Sequence, residues 1–379
     1  MKKSRLSMFC LPVVASLVCS SLVPAAVAAD SAAQDTPYNS STVNISDPQA
    51  TAETQALFAA LRDTSSKDIR FGHQQTTELS ITGAKNGDVY DMTGKYPAVF
   101  GFDAGEIVRA SNSEADPSAT IEKMVNDIKF ADAQGGIITL SVHWNNPATG
   151  KDFSDTTEAV SHILPGGSHS AVFNRMLNAV ARVTQDAKRS DGTPIPIIFR
   201  PLHENLGTWF WWGATHASTA EFKELFRYIV NYLRDIKGIH NLLYAYSPSG
   251  TFNKDTTDYM ASYPSDDWVD VFGLDDYTDN IPDWIPRVVR DLDVLEKVAE
   301  KHGKITAFTE FGRRDIPKSG KDYGHYDFYS KLREALAKDT SHIAYMMTWA
   351  NWGGSSSNFQ SYTPWHSSDG EAEFKEFAQ

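Results

Sequence analysis

Ile197-Ile198-Phe199-Arg200-Pro201-Leu202-His203-Glu204-Asn205 is the stretch from which the fold can be read. Its head is apolar without alternation, as expected of a strand buried on both faces of a parallel sheet. It breaks at a proline and ends in an imidazole, a carboxylic acid and an amide. The same design recurs on either side. Upstream lie Ile69 to His73, Pro97 to Asp103 and Gly136 to Trp144. Downstream lie Asn241 to Tyr246, Val269 to Leu274, Ile305 to Phe308 and Ile343 to Trp349.

Segments with helical spacing separate these runs. Thr120 to Ala133 places Ile121, Met124, Val125 and Ile128 on one side, and Ala171 to Ala187 repeats Val172, Met176, Val180 and Val183. Thr219 to Ile236 carries Phe222, Leu225, Phe226, Ile229 and Leu233 behind a Ser218 or Thr219 cap. Arg287 to Glu300 and Asp327 to Ala337 read alike, and a short helix is expected around Glu371 to Phe377. Eight strands alternating with helices predict an α/β fold, a single-domain (β/α)8 TIM barrel over residues 51–379. The alternative is an open doubly wound sheet. That fold normally carries a Gly-rich phosphate loop after its first strand, and none is found.

Composition narrows the partners. The 379 residues hold 35 Lys and Arg against 48 Asp and Glu, a net charge of −13, which excludes a nucleic-acid partner held by phosphate contacts. Nine Trp, 15 Tyr and 20 Phe are more flat aromatic surface than a core alone needs. Residues 1–29 read as a signal peptide: Lys2, Lys3 and Arg5, an apolar run from Leu6 to Val23, then a small-residue exit at Ala25 to Ala29. A membrane anchor is the competing reading, but Ser16, Ser20 and Ser21 interrupt the run, and no stable membrane partner is expected. Leu17-Val18 before Cys19 fits a lipoprotein signal poorly. Removing this leader takes both cysteines, Cys10 and Cys19, and shifts the net charge to −16. The protein is then expected outside the cytoplasm, secreted or periplasmic, stabilised by its core rather than by disulfides. Residues 30–50 are Ser, Thr, Ala, Asn and Asp with little apolar content, and are expected to form a flexible lead-in.

In a (β/α)8 barrel, functional groups sit at the C-terminal ends of the strands. Here those ends carry His73, Asp103, His143 with Trp144, Arg200 with His203 and Glu204, Ser247, Asp275-Asp276-Tyr277, Glu310, and Trp349 with Trp352. Glu204 and Glu310 each lie just beyond a buried run, where partial desolvation moves carboxyl pKa values. Each alone reads equally as a rim acid in an ion pair. Strand counting places them after the fourth and seventh strands, facing one another, and two facing carboxylates are what glycosidic cleavage needs. Beside Glu204 run Trp209-Phe210-Trp211-Trp212, flanked by Gly207 and Gly213. A Gly-flanked loop has no regular face on which to bury three Trp, so at least one is expected to line a sugar subsite. Trp144, Tyr277, Trp349 and Trp352 offer further aromatic platforms. Of Asp275-Asp276, one is expected in a rim ion pair and the other solvated.

Arg200-Pro201-Leu202-His203-Glu204-Asn205, the following Trp209-Phe210-Trp211-Trp212, and Thr309-Glu310-Phe311-Gly312 together resemble glycoside hydrolase family 26 over roughly residues 50–379. The His-Glu pair with its Trp cluster is specific within a clan where Asn-Glu is commoner. The resemblance implies a β-mannanase with catalytic glutamates after strands 4 and 7: Glu204 as acid/base and Glu310 as nucleophile. It implies substrate contacts at His143, His203, Trp209, Tyr277 and Trp349, with His203 also supporting the nucleophile. It implies retention of configuration. No cofactor and no metal are expected. Many members carry an arginine just after the last Trp; Ala350 stands there in this chain.

The expected partner is a neutral polysaccharide (mannan, glucomannan or galactomannan, with manno-oligosaccharides), and a monomer is expected. A β-glucanase or xylanase on the same barrel is the nearest alternative. A non-catalytic carbohydrate-binding protein would use exposed Trp but would not need two buried glutamates. His73, His143 and His203 could instead hold zinc with Asp103 or Asp275, although no closely spaced ligand pair is present. Residues 148–170, rich in Gly, Ser, Asp and His, are expected to form a long loop that shapes distal subsites.

Overall fold

The computed structural model describes residues 44–63, 69–250, 252, 256–314, 327–340, 342–353 and 360–378. The leader and most of the lead-in, residues 1–43, lie outside the described residues. Eight strands close into an all-parallel barrel in sequence order. They are β1 (Arg70–Gln74), β2 (Val99–Asp103), β3 (Ile137–Ser141), β4 (Ile197–Arg200), β5 (Leu242–Tyr246), β6 (Val271–Thr278), β7 (Ile305–Arg313) and β8 (Tyr345–Thr348). Closure is made by β1 pairing with β8, Gly72 opposite Met347. The barrel interior is filled by small and branched residues, among them Val99, Ile198, Leu243, Ala245, Val271, Ala307 and Met347. Phe58 and Leu61 of the helix Ala52–Arg62 pack on the lower end of this set, beside Ile305 and Ala344.

The expected helices form, with informative differences. Ser118–Ala133 buries the apolar stripe read from sequence, and Ser170–Asp186 buries Met176, Val180 and Val183 with Phe173 and Leu177, leaving Val172 half-buried. The third starts at Thr219 with a capping box, Ser218 and Glu221 bonding each other's backbone, but its last turn, Tyr232–Ile236, widens to a π-helix. The fourth begins six residues earlier than its apolar stripe suggested, at Ile281, and runs through Pro286 to His302. Pro286 reads as a helix start because its ring removes one backbone donor; here the helix tolerates it one turn in.

Two strands outrun their apolar sequences. β6 continues past Leu274 to Thr278 and β7 past Phe308 to Arg313, with register irregularities at Gly273/Asp275 and Phe308/Phe311. Such bulges re-aim side chains next to active sites. Here they set Asp275 opposite Glu310 at the barrel mouth.

The lead-in was expected to be flexible through residue 50, and its described end is not. Ser46 donates from its backbone N–H and hydroxyl to Asp270, 2.6 and 2.8 Å away. Asn44 accepts from Lys304 Nζ at 2.8 Å, and Asp47 pairs with His240 at 2.8 Å. Its Ser, Asn and Asp side chains serve as local hydrogen-bonding groups for the barrel floor, which composition alone does not reveal.

Candidate active site

The carboxylate after β4 sits on unusual backbone. Glu204 has φ of +56°, the left-handed region that non-glycine residues enter at a cost of roughly 1–2 kcal/mol. The surroundings hold it there. Its N–H bonds Ser247 O at 2.8 Å, and its carbonyl accepts from Gly207 N–H and the Ser249 hydroxyl.

The tryptophans explain the rest of this loop. Trp211 and Trp212 are fully buried. Trp212 donates its indole N–H to His203 O at 2.8 Å, and Trp211 donates to Trp144 O at 2.9 Å. Trp144, expected as a sugar platform, is also fully buried and donates to Pro201 O at 2.6 Å. Three indoles thus fix the backbone that carries His203 and Glu204. Only Trp209 of the cluster is exposed, at 46%, and its N–H donates to Glu204 Oε2 at 2.5 Å.

Glu310, on β7, is held from two sides. Tyr277 donates its hydroxyl to Oε1 at 2.5 Å, and Arg200 donates to Oε2. Arg200 is fully buried and also pairs with Asp275 at 2.5 Å. Burial opposes its charge, but Asp275 and Glu310 more than restore it and raise its pKa. Asp275 in turn accepts from the Thr309 hydroxyl at 2.6 Å. One of Asp275 and Asp276 was expected to be solvated, and neither is: Asp275 is 1% and Asp276 6% exposed. Asp276 bonds Arg287 at 2.7 Å and the Trp284 indole at 3.2 Å, because β6 extends far enough to turn it onto the helix layer.

A cavity of about 460 Å³ opens at the mouth of the barrel, lined by Glu204, Glu310, His143, His203, Tyr277 and Trp349. Trp209 stands outside that lining, against Glu204. Trp144, Trp352 and His73 do not line it either; His73 is buried at the end of β1, near Asp88. Among the described residues, no group of three His, Cys, Asp or Glu is placed to hold a metal ion.

The cavity wall also contains residues not singled out as site residues: Arg109, Asp152, Phe153, Arg314 and Tyr362. Asp152 and Phe153 come from the loop expected to shape distal subsites, which a hub at Asn146 secures by donating to Asp155 O and Thr157 O. Arg314 lies over the Tyr277 ring, 4.9 Å from its centroid. Tyr362 is brought in by Asn351, whose amide oxygen accepts from its N–H at 2.7 Å while its NH2 reaches Asp88 at 2.9 Å. Such long-range ties leave no local sequence signal.

The two glutamates differ in environment. Burial, then the charge of Glu310, push Glu204 up to about 7, while Trp209, Arg200 and His143 pull it back. Glu204 is therefore able to carry a proton near neutrality, while Glu310 faces it with both oxygens engaged by donors. A proton-holding carboxyl beside a carboxylate bound by donors, at the mouth of a (β/α)8 barrel, is the arrangement that acid-and-nucleophile glycosidic cleavage requires.

The model of glycosyl hydrolase family 26 matches residues 46–352, and the chain belongs to that family. A mannan endo-1,4-β-mannosidase of Bifidobacterium adolescentis is 56% identical over 90% of this chain, which spans 35% of that protein's length. A mannan endo-1,4-β-mannosidase of Bacillus subtilis is 29% identical, covering 74% of this chain and 73% of its own. Among solved structures, a modular endo-β-1,4-mannanase from Cellulomonas fimi superposes with a TM-score of 0.82. It is 38% identical over 89% of this chain and 76% of that one.

The Trp209 contact yields a prediction. Its N–H stabilises the charged form of Glu204, so Trp209→Phe should raise the Glu204 pKa. An acid must be protonated to act, so the alkaline limb of kcat/KM should move up, by about half to one pH unit. A limb that stays in place or moves down refutes the assignment of Glu204 as the titrating acid.

Proposed function

We propose that the chain is a retaining mannan endo-1,4-β-mannosidase acting outside the cytoplasm on mannan, glucomannan or galactomannan. The observation that carries this is the asymmetric pair: Glu204, able to hold a proton near pH 7, across one cavity from Glu310, which Arg200 and Tyr277 bind. The two mannosidases named above support the substrate.

In the first step Glu310 attacks the anomeric carbon. The glycosidic C–O bond breaks, and Glu204 passes its proton to the departing oxygen. A covalent glycosyl-Glu310 ester results. Glu204, now a carboxylate, takes a proton from water as the water attacks the same carbon. The ester bond breaks, Glu310 is released, and the configuration is retained. Trp349, at the end of β8, and the exposed Trp209 would supply flat faces against which sugar rings stack. His143 and His203 would form the wall of the cavity against the sugar at the cleavage point.

The decisive experiment is a panel of mannan, galactomannan, mixed-linkage β-glucan and xylan, with products sized by chromatography and the first-formed anomer read by NMR. Internal cleavage of the mannans with β-configured product is expected. Faster cleavage of β-glucan or xylan overturns the substrate; an α-configured product overturns retention. Glu204→Ala should slow natural substrates far more than aryl mannosides with good leaving groups, which need little protonation. Equal losses on both would remove Glu204 from the acid role.

A further inference from the structure

We propose that Asp103 is a positioning residue that acts through His143 on His203. An imidazolium at His143 donates from Nε2 to Nε2 of His203, which therefore carries its own proton on Nδ1. For its effect on activity the inference rests on the glycosidase reading above; the proton arrangement itself does not.

The chain begins at the end of β2. Asp103 Oδ1 accepts the Gly105 N–H at 2.8 Å; Oδ2 accepts the Ser141 hydroxyl at 2.7 Å and His143 Nδ1–H at 2.8 Å. A Cβ at position 105 would stand 2.7 Å from Oδ1, so a side chain there would push the carboxylate out of place. Burial pushes the Asp103 carboxyl up, but His143 and these donors bring it down to about 2, and it is a carboxylate at working pH.

With Nδ1–H committed to Asp103, His143 has one nitrogen left. Its Nε2 lies 3.3 Å from Nε2 of His203. Two bare lone pairs do not sit at that distance, so one of the two must carry hydrogen. The surroundings decide which. Asp103 from β2 and Glu310 from β7 favour a cation at His143, and Arg200 from β4 opposes it. Arg200, however, is already engaged with Asp275 and Glu310. The rings of Phe153, Phe210 and Trp349 meet the imidazole edge to face and bring no charge. Burial draws His143 down, and Asp103 with Glu310 carries it above its ordinary value. His203 goes the other way: burial, then Arg200 and His143, drive it to the neutral form. The proton therefore sits on His143, and His203 is locked as the acceptor at Nε2. His203 Nδ1 is buried without a partner, so nothing else selects its tautomer.

The test is imidazole nitrogen NMR of the full enzyme labelled at histidine, with His143→Gln assigning the signals, alongside pH profiles of kcat on mannan. In the native protein His143 should show two protonated nitrogens at neutral pH and His203 a protonated Nδ1. Asp103→Asn should return His143 to the neutral form, move the His203 proton to Nε2, and lower kcat by at least about tenfold, as wrong-tautomer variants do. Asp103→Glu should restore the imidazolium. A neutral native His143, or an imidazolium that persists in Asp103→Asn, overturns the proposal. Should Asp103→Asn fail to fold, the native spectrum decides alone. If the native enzyme leaves mannan intact while the nitrogen pattern is as described, the substrate reading fails and this one stands.

Discussion

Replacing Glu310 by Ala should cut turnover on mannan by about 10⁵-fold or more, the scale seen when a nucleophile is removed from a working catalytic unit. The loss should fall on kcat. Glu310 has one job in the proposed cycle that no neighbour can take over: it forms and then releases the bond to the anomeric carbon. Tyr277 and Arg200, which bind its two oxygens, are donors and cannot attack. Asp275 is opposite in register, but it is 1% exposed and spent on Arg200 and Thr309. The groups proposed to bind the sugar, by contrast, are intact in the variant, because Trp209, Trp349 and His143 make no hydrogen bond to Glu310. Calorimetry with a manno-oligosaccharide should therefore still show binding within about tenfold of native. A variant with native kcat on the polymer would remove Glu310 from the nucleophile role. A variant that loses binding as severely as turnover would make it a substrate ligand instead.

The barrel was legible because parallel strands buried on both faces leave unbroken apolar runs, and all eight runs are strands. The site was legible where chemistry sits one step past such a run, as at Glu204, Glu310 and His143. It was illegible where the backbone is irregular or the contact is long-range. Nothing in Leu274-Asp275-Asp276-Tyr277 announces that β6 continues to Thr278 and turns Asp276 onto Arg287. The three tryptophans at 209, 211 and 212 look alike in sequence. Only the hydrogen-bonding need of a buried indole separates the two that brace backbone carbonyls from the one that meets Glu204. Trp144 misled for the same reason: its ring is flat and close to the site, but its N–H is used on Pro201 O. Residues 148–170 were expected to be one loop, but Val160–Ile163 form a short helix and Ser170 opens the next one, and the placement of Phe153 against His143 depends on Asn146 bonding across the part before them.

Arg200→Met should be the most destabilising single change in the site, by about 3–5 kcal/mol, lowering Tm on the order of 10 °C. The guanidinium is fully buried, and it is the cation shared by Asp275 and Glu310, which face each other across β6 and β7. Building such a group into a barrel gains little net energy, because three charges must leave water. Removing one partner is another matter: it strands the remaining carboxylates in a site that cannot solvate them. The pH dependence follows. Asp275 is already held well above the usual carboxylate range by burial, with Arg200 the main opposing influence. Without Arg200 the folded form should hold the Asp275 proton to still higher pH. A carboxyl whose folded pKa is raised binds more protons folded than unfolded, so stability falls as pH rises. The deficit of Arg200→Met should thus be largest at alkaline pH and narrow on acidification through the Asp275 transition. Adding Asp275→Asn should recover part of the loss, since a neutral amide replaces one stranded charge. Urea unfolding of the native protein and the two variants across pH measures all of this. A deficit below about 1 kcal/mol in Arg200→Met, or one that grows toward acid, would show that the carboxylates do not depend on Arg200 for their charge.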